Sequence, residues 1–135
     1  MAAIRLPSLY FVTYSIKKQG IMKRFLIIYH APKEAMAQTM NVTPEQAAKG
    51  MAVWQQWVQR TGSNLVDMGA PLFNSQALNA QGETSESSKN VSGFSIIQAE
   101  DMEAAKAIMA GHPHISGWHP ESTIEIHETM QLPGM

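Results

Sequence analysis

The sequence predicts an α+β fold, a four-stranded antiparallel sheet with two helices on one face. Three observations carry this. Four strand-like segments and two helical periodicities alternate as strand, helix, strand, strand, helix, strand. The first strand is apolar on both faces. Both helices carry a start signal and a glycine stop. At 135 residues the chain fits one domain, with hydrophobic residues at 44% and charged residues at 16%.

Arg24-Phe25-Leu26-Ile27-Ile28-Tyr29-His30 is the first strand, stopped by Ala31-Pro32. Phe25, Ile27 and Tyr29 share one face and Leu26 and Ile28 the other, so both faces need cover. Thr43-Pro44-Glu45-Gln46 starts a long helix: Thr43 caps, Pro44 suits the first turn and Gln46 closes a capping box. The helix is expected to end near Thr61, before Gly62. Ala47, Met51, Trp54 and Val58 form its apolar stripe, with Trp57 beside it. Gly50 weakens the helix interior and is expected to allow close packing.

Leu65 to Phe73 reads as a strand bent or bulged at Gly69. Residues 74–90 are polar and read as the loop of a long hairpin. Val91 to Ala99 is the returning strand. Asp101 caps a short helix over Met102 to Ala110, with Met102, Ala105, Ile108 and Met109 inward and Gly111 at its end. Ser122 to Glu128 alternates as a half-exposed strand. Two βαβ units around an antiparallel hairpin give a ferredoxin-like sheet. The face without helices is expected to be covered by a second copy of the chain.

Composition narrows the function classes. The net charge is -1 and the basic residues are scattered, which argues against nucleic-acid binding. There is no cysteine, so disulfides, thiolate nucleophiles and iron–sulfur clusters are excluded, and a cytoplasmic location is expected. Residues 1–21 read as an N-terminal extension ahead of a domain over 22–132. Their apolar patch, Leu9-Tyr10-Phe11-Val12, is too short to span a bilayer, so no membrane partner is expected.

Three of the five histidines, His112, His114 and His119, crowd the segment after the second helix, together with Trp118 and Glu121. Imidazole titrates nearest neutrality, which makes this loop the first place to seek a site. His112 is the candidate acid/base, with Asp67 as its carboxylate partner. The helix end before His112 is expected to favour its charged form. Tyr29, His30, Trp54, His114 and Trp118 are the candidate ligand-binding residues. Trp54 also serves as a core anchor, and Trp118 as a pocket lid. The histidine spacing matches no strong zinc motif, so neither a metal nor another cofactor is expected.

The chain resembles the YCII-related family of the dimeric α/β-barrel group over roughly 22–132. The resemblance rests on Phe25-Leu26-Ile27-Ile28-Tyr29, the helix with Trp54 and Trp57, Gly69-Ala70-Pro71-Leu72 and Ser92-Gly93-Phe94. It continues through His112-Pro113 and Ile124-Glu125-Ile126. It implies a homodimer whose two sheets face each other around a pocket. One branch of the family is thought to use a helix histidine and an aspartate for proton transfer. Here Val53 and Trp54 occupy the matching turn, so that pair is not carried over. A subgroup's Asp-Gly-Pro-Phe stretch is likewise replaced by Ser92-Gly93-Phe94. The functional expectation is a small-molecule pocket at the dimer sheet, with cofactor-independent proton transfer of lyase or isomerase type. The alternative is a non-enzymatic dimeric interaction or regulatory module.

Overall fold

The computed structural model describes residues 22–134. The main sheet is built from β1 (Lys23–His30), β2 (Leu65–Pro71), β5 (Val91–Ala99) and β6 (Thr123–Glu128), in the order β2-β5-β1-β6. Every pairing in it is antiparallel. The helices are α1 (Lys33–Met40), α2 (Pro44–Thr61) and α3 (Met102–Met109). The expected α+β class and four-stranded antiparallel sheet are therefore present. The extension expected over 1–21 lies outside the described residues.

Period-two alternation decides which residues enter the core. Phe25, Ile27 and Tyr29 of β1 and Ile97 and Ala99 of β5 are buried in one cluster with Trp57 of α2 and Ala105 and Met109 of α3. Both α2 and α3 thus press on the same sheet face. The opposite set, Leu26, Ile28, Phe94 and Ile96, stays half-buried and outside that cluster. In β6, Ile124 and Ile126 pair with Tyr29 and Ile27 on the core side, which leaves Thr123, Glu125 and His127 on the other.

The helix signals act as read. The Thr43 hydroxyl accepts the Gln46 N–H at 3.2 Å, and the Gln46 side chain accepts the Thr43 N–H at 3.0 Å. The Asp101 carboxylate caps α3 through the Ala104 N–H at 2.8 Å. In α2 only the C-terminal half of the stripe packs: Trp57 is buried and Trp54 and Val58 partly so, whereas Ala47 and Met51 are exposed. Gly50 serves no close packing, since a Cβ there would meet nothing within 4 Å.

Two elements escape the sequence reading. α1 buries only Ala35, so its apolar periodicity is too weak to read. Residues 74–90 are not a plain loop but carry a small antiparallel hairpin, β3 (Gln76–Leu78) paired with β4 (Thr84–Glu86). Asn79 organises its turn by accepting the Gln81 and Glu83 N–H groups, an Asx device that polar composition disguises as loop. The bulge at Gly69 is present: the β2–β5 register shifts on both sides of Asp67, and Gly69 takes φ 77°.

Candidate functional site

His112 is fully buried at the end of the segment that leaves α3. Its backbone is held by hydrogen bonds in both directions: its N–H donates to the Met109 carbonyl at 3.1 Å, and its own carbonyl accepts the Ile115 N–H at 3.0 Å. Pro113 then opens a short 3₁₀ turn, Pro113–Ile115. The ring sits in an aromatic cage, with its centroid 4.5 Å from both Trp54 and Trp57 and 5.0 Å from Tyr29.

The hydrogen bonds of this ring fix its tautomer. Nδ1 accepts the His114 N–H at 2.9 Å, so in the neutral ring the proton is on Nε2. Nε2 lies 3.3 Å from the Tyr29 hydroxyl and donates to it. Ser95 Oγ donates to the Met68 carbonyl at 2.7 Å, so the Tyr29 hydroxyl donates to Ser95 at 2.8 Å. A one-way chain therefore runs from His112 through Tyr29 and Ser95 to the backbone of β2. Burial of polar groups demands such completeness, because an unpartnered one costs about 1–3 kcal/mol.

Electrostatics agree with a neutral chain. Burial pushes the His112 imidazole down to about 3, with His114 and Arg60 adding repulsion. Burial pushes the Tyr29 phenol up to about 12, against the opposing pull of the Ser95 bond. This corrects the expectation of a charged His112: loss of water outweighs the partial charge of the preceding helix end. With no exposed atom and both ring nitrogens engaged, His112 serves as a packed core node in the free chain.

Asp67 does not join His112. It is exposed and pairs in register with Ile96, on the sheet face away from the core. Its carboxylate accepts the Gly69 N–H at 2.8 Å and so stabilises the bulge. His114 is buried and packs 5.1 Å from the Tyr29 ring. Its Nε2 donates to the His30 carbonyl at 2.8 Å. Burial lowers its basicity, although bonds to the carbonyls of His30 and Thr123 pull the other way. Trp118 is 40% exposed and leans on His114 at 5.3 Å, at the surface of this node rather than over an opening.

An open cleft of about 670 Å³ lies instead at the end of β1, on the side of Thr123 and Glu125. His30, Lys33, Lys89, Asn90, Thr123 and Glu125 line it, among others. His30 Nε2 donates to Glu125 Oε1 at 2.7 Å, and Nδ1 donates to the Lys89 carbonyl at 2.7 Å. His127 Nε2 approaches the same Glu125 oxygen at 3.6 Å. The His30 and His127 bonds hold the Glu125 carboxyl below the usual carboxylate range. The cleft thus offers an ionised carboxylate touching an imidazole, beside two lysines. Among the described residues, no group of three or more His, Asp or Glu side chains is placed to hold a metal ion.

Of the sequence candidates, the structure brings Tyr29, Trp54, His112 and His114 together in the core with Trp118 against His114 at its surface, sets His30 in the cleft and leaves Asp67 apart. Glu125, Lys33 and Lys89 were missed. Strand parity alone sets Glu125 opposite the core, but its meeting with His30 depends on the β1–β6 register, in which His30 pairs with Thr123 and Ile28 with Glu125. No family model matches this sequence, and no curated protein sequence matches it.

Proposed function

We propose that the chain is a YCII-related, ferredoxin-like homodimer that binds a small molecule in the cleft at the His30 end of the sheet. The observation that carries this is the His30–Glu125 contact at 2.7 Å inside a cleft of about 670 Å³. A few convergent polar groups in a concavity are the usual makings of a ligand site. His30 can give a proton and Glu125 can take one, which suits cofactor-independent proton transfer of lyase or isomerase type. The role expected of His112 and Asp67 passes to His30 and Glu125, and the His112 chain stays in the core on the opposite face of the sheet.

Support for the ferredoxin-like arrangement comes from the strand order β2-β5-β1-β6 with α2 and α3 on one face. Support for the homodimer comes from the other face, where Leu26, Ile28, Phe94 and Ile96 remain half-buried outside the core cluster. A second copy laid on that face would wall the cleft beside Thr123 and Glu125. The absence of cysteine suits the cytoplasm. Among the described residues no helix is long and apolar enough to cross a membrane.

Sedimentation at micromolar concentration should give twice the chain mass, and a metabolite panel should contain compounds that raise the melting temperature. A monomer that no metabolite stabilises would sink the proposal. One observation favours the interaction-module reading. Phe73 and Leu78, on the hairpin arm over 72–90, are 82% and 70% exposed. In that case the dimer would form and the panel would stay silent.

A further inference from the structure

We propose that His30 is a proton-operated latch, which ties the base of the hairpin arm to β6 across the cleft and lets the arm go when the ring loses a proton. The latch is a property of the free protein and does not rest on the ligand reading.

Donors and acceptors decide how many protons the His30 ring holds. The Lys89 carbonyl, 2.7 Å from Nδ1, can only accept. The Glu125 carboxyl, 2.7 Å from Nε2, is ionised and can only accept as well. Both bonds therefore need an N–H, so the ring holds both protons in this geometry. A neutral imidazole has one. Its other nitrogen would point a lone pair at an oxygen 2.7 Å away, and that contact must open.

The carboxylate is the stronger acceptor, since charge-assisted bonds are roughly twice as strong as neutral ones. The remaining proton stays on Nε2, and the Lys89 carbonyl is released. Lys89 and Asn90 form one wall of the cleft and Thr123 and Glu125 the other, so the release widens it. The arm does not detach. The Ala31 N–H still donates to the Asn90 carbonyl at 2.9 Å, and Lys33 still pairs with Glu86. Motion is thereby confined to the segment around 87–90.

Charges face His30 from every side of its surroundings. Glu125 and, beyond it, His127 come from β6. His114 donates to the His30 carbonyl from the 3₁₀ turn. Lys33 and Glu34 from α1, Lys89 from the arm and Glu121 from the turn before β6 line the same cleft.

The test follows the His30 ring nitrogens by NMR from pH 5 to 8 in the full chain carrying His127→Gln, which leaves His30 as the one histidine touching Glu125. Both nitrogens should carry protons at pH 5, and Nδ1 should lose its proton on titration. The Lys89 and Asn90 amide resonances should shift with the same midpoint. In His30→Phe those amides should stop responding to pH, and in Glu125→Gln the His30 midpoint should fall. The latch is overturned if the ring holds a single proton at pH 5. It is equally overturned if the Lys89 and Asn90 amides stay still while His30 titrates, if they still respond in His30→Phe, or if the midpoint ignores Glu125→Gln.

Discussion

Stability should fall as the pH drops from neutrality toward 4, and His112 should be the main cause. The unfolded chain takes up a proton at an ordinary histidine value, 6.5, while the folded ring resists until about 3. Between those values the unfolded state binds more protons, so stability rises with pH across that window. The contribution is complete above pH 6.5, drains as the pH falls, and is gone below about 3. Its full size is on the order of 5 kcal/mol, a large share of a typical domain's stability of roughly 5–15 kcal/mol. His114, also held down by burial, adds to the same slope. Urea midpoints at pH 7, 5.5 and 4 would measure it. In His112→Phe the slope should flatten. The variant should still start lower at pH 7, by about 1–3 kcal/mol, because the His114 N–H and the Tyr29 hydroxyl each lose a partner. Equal wild-type midpoints at pH 7 and 4 would contradict the buried neutral ring.

Gly69→Ala should be among the most damaging substitutions in the chain. A Cβ at Gly69 would stand 1.8 Å from the Phe94 carbonyl oxygen and 2.6 Å from its carbon, both backbone atoms that cannot swing aside. The φ of 77° adds strain for any side chain. β2 would have to leave β5, and the Met68 carbonyl that ends the His112 chain would move with it. A loss of about 3 kcal/mol or more is expected. Gly50→Ala provides the opposite case. It lies inside α2 with open space around it, so alanine should stabilise by about 0.5–1 kcal/mol. Each kcal/mol should move the melting temperature of a domain this size by roughly 4 °C. A Gly69→Ala protein that melts with the wild type would refute the close β2–β5 approach at the bulge.

The contrast between these two glycines marks how far the sequence could be read. Gly69 interrupts a strand and stands before Ala70-Pro71, so a bulge was legible. Gly50 interrupts a helix, and nothing local tells whether a neighbour fills the gap. Elements with a strong local signal were equally legible: β5 runs over Val91–Ala99 as the alternation indicates, and α2 begins and ends at its caps. α1 and the β3–β4 hairpin bury almost nothing, so no hydrophobic period announces them.

The site was legible only in pieces. Tyr29 and His30 are neighbours in sequence, yet parity sends Tyr29 into the core and His30 to the cleft. The histidine density around His112 reflects polar packing beneath two tryptophans, which composition alone does not distinguish from an acid/base centre. Asp67 looked like a partner for His112 until the bulge register turned it to the other face. The His30–Glu125 pair joins residues at opposite ends of the domain, and only the β1–β6 register brings them together.

The central claim is that a ligand enters the His30–Glu125 cleft rather than the buried His112 node. Amide chemical-shift mapping tests it most directly, using the metabolite that raises the melting temperature most. Perturbations should concentrate at Ala31 to Glu34, Lys89, Asn90 and Glu121 to Glu125. Perturbations centred on Trp54, His112 and His114, with the cleft residues unmoved, would contradict it.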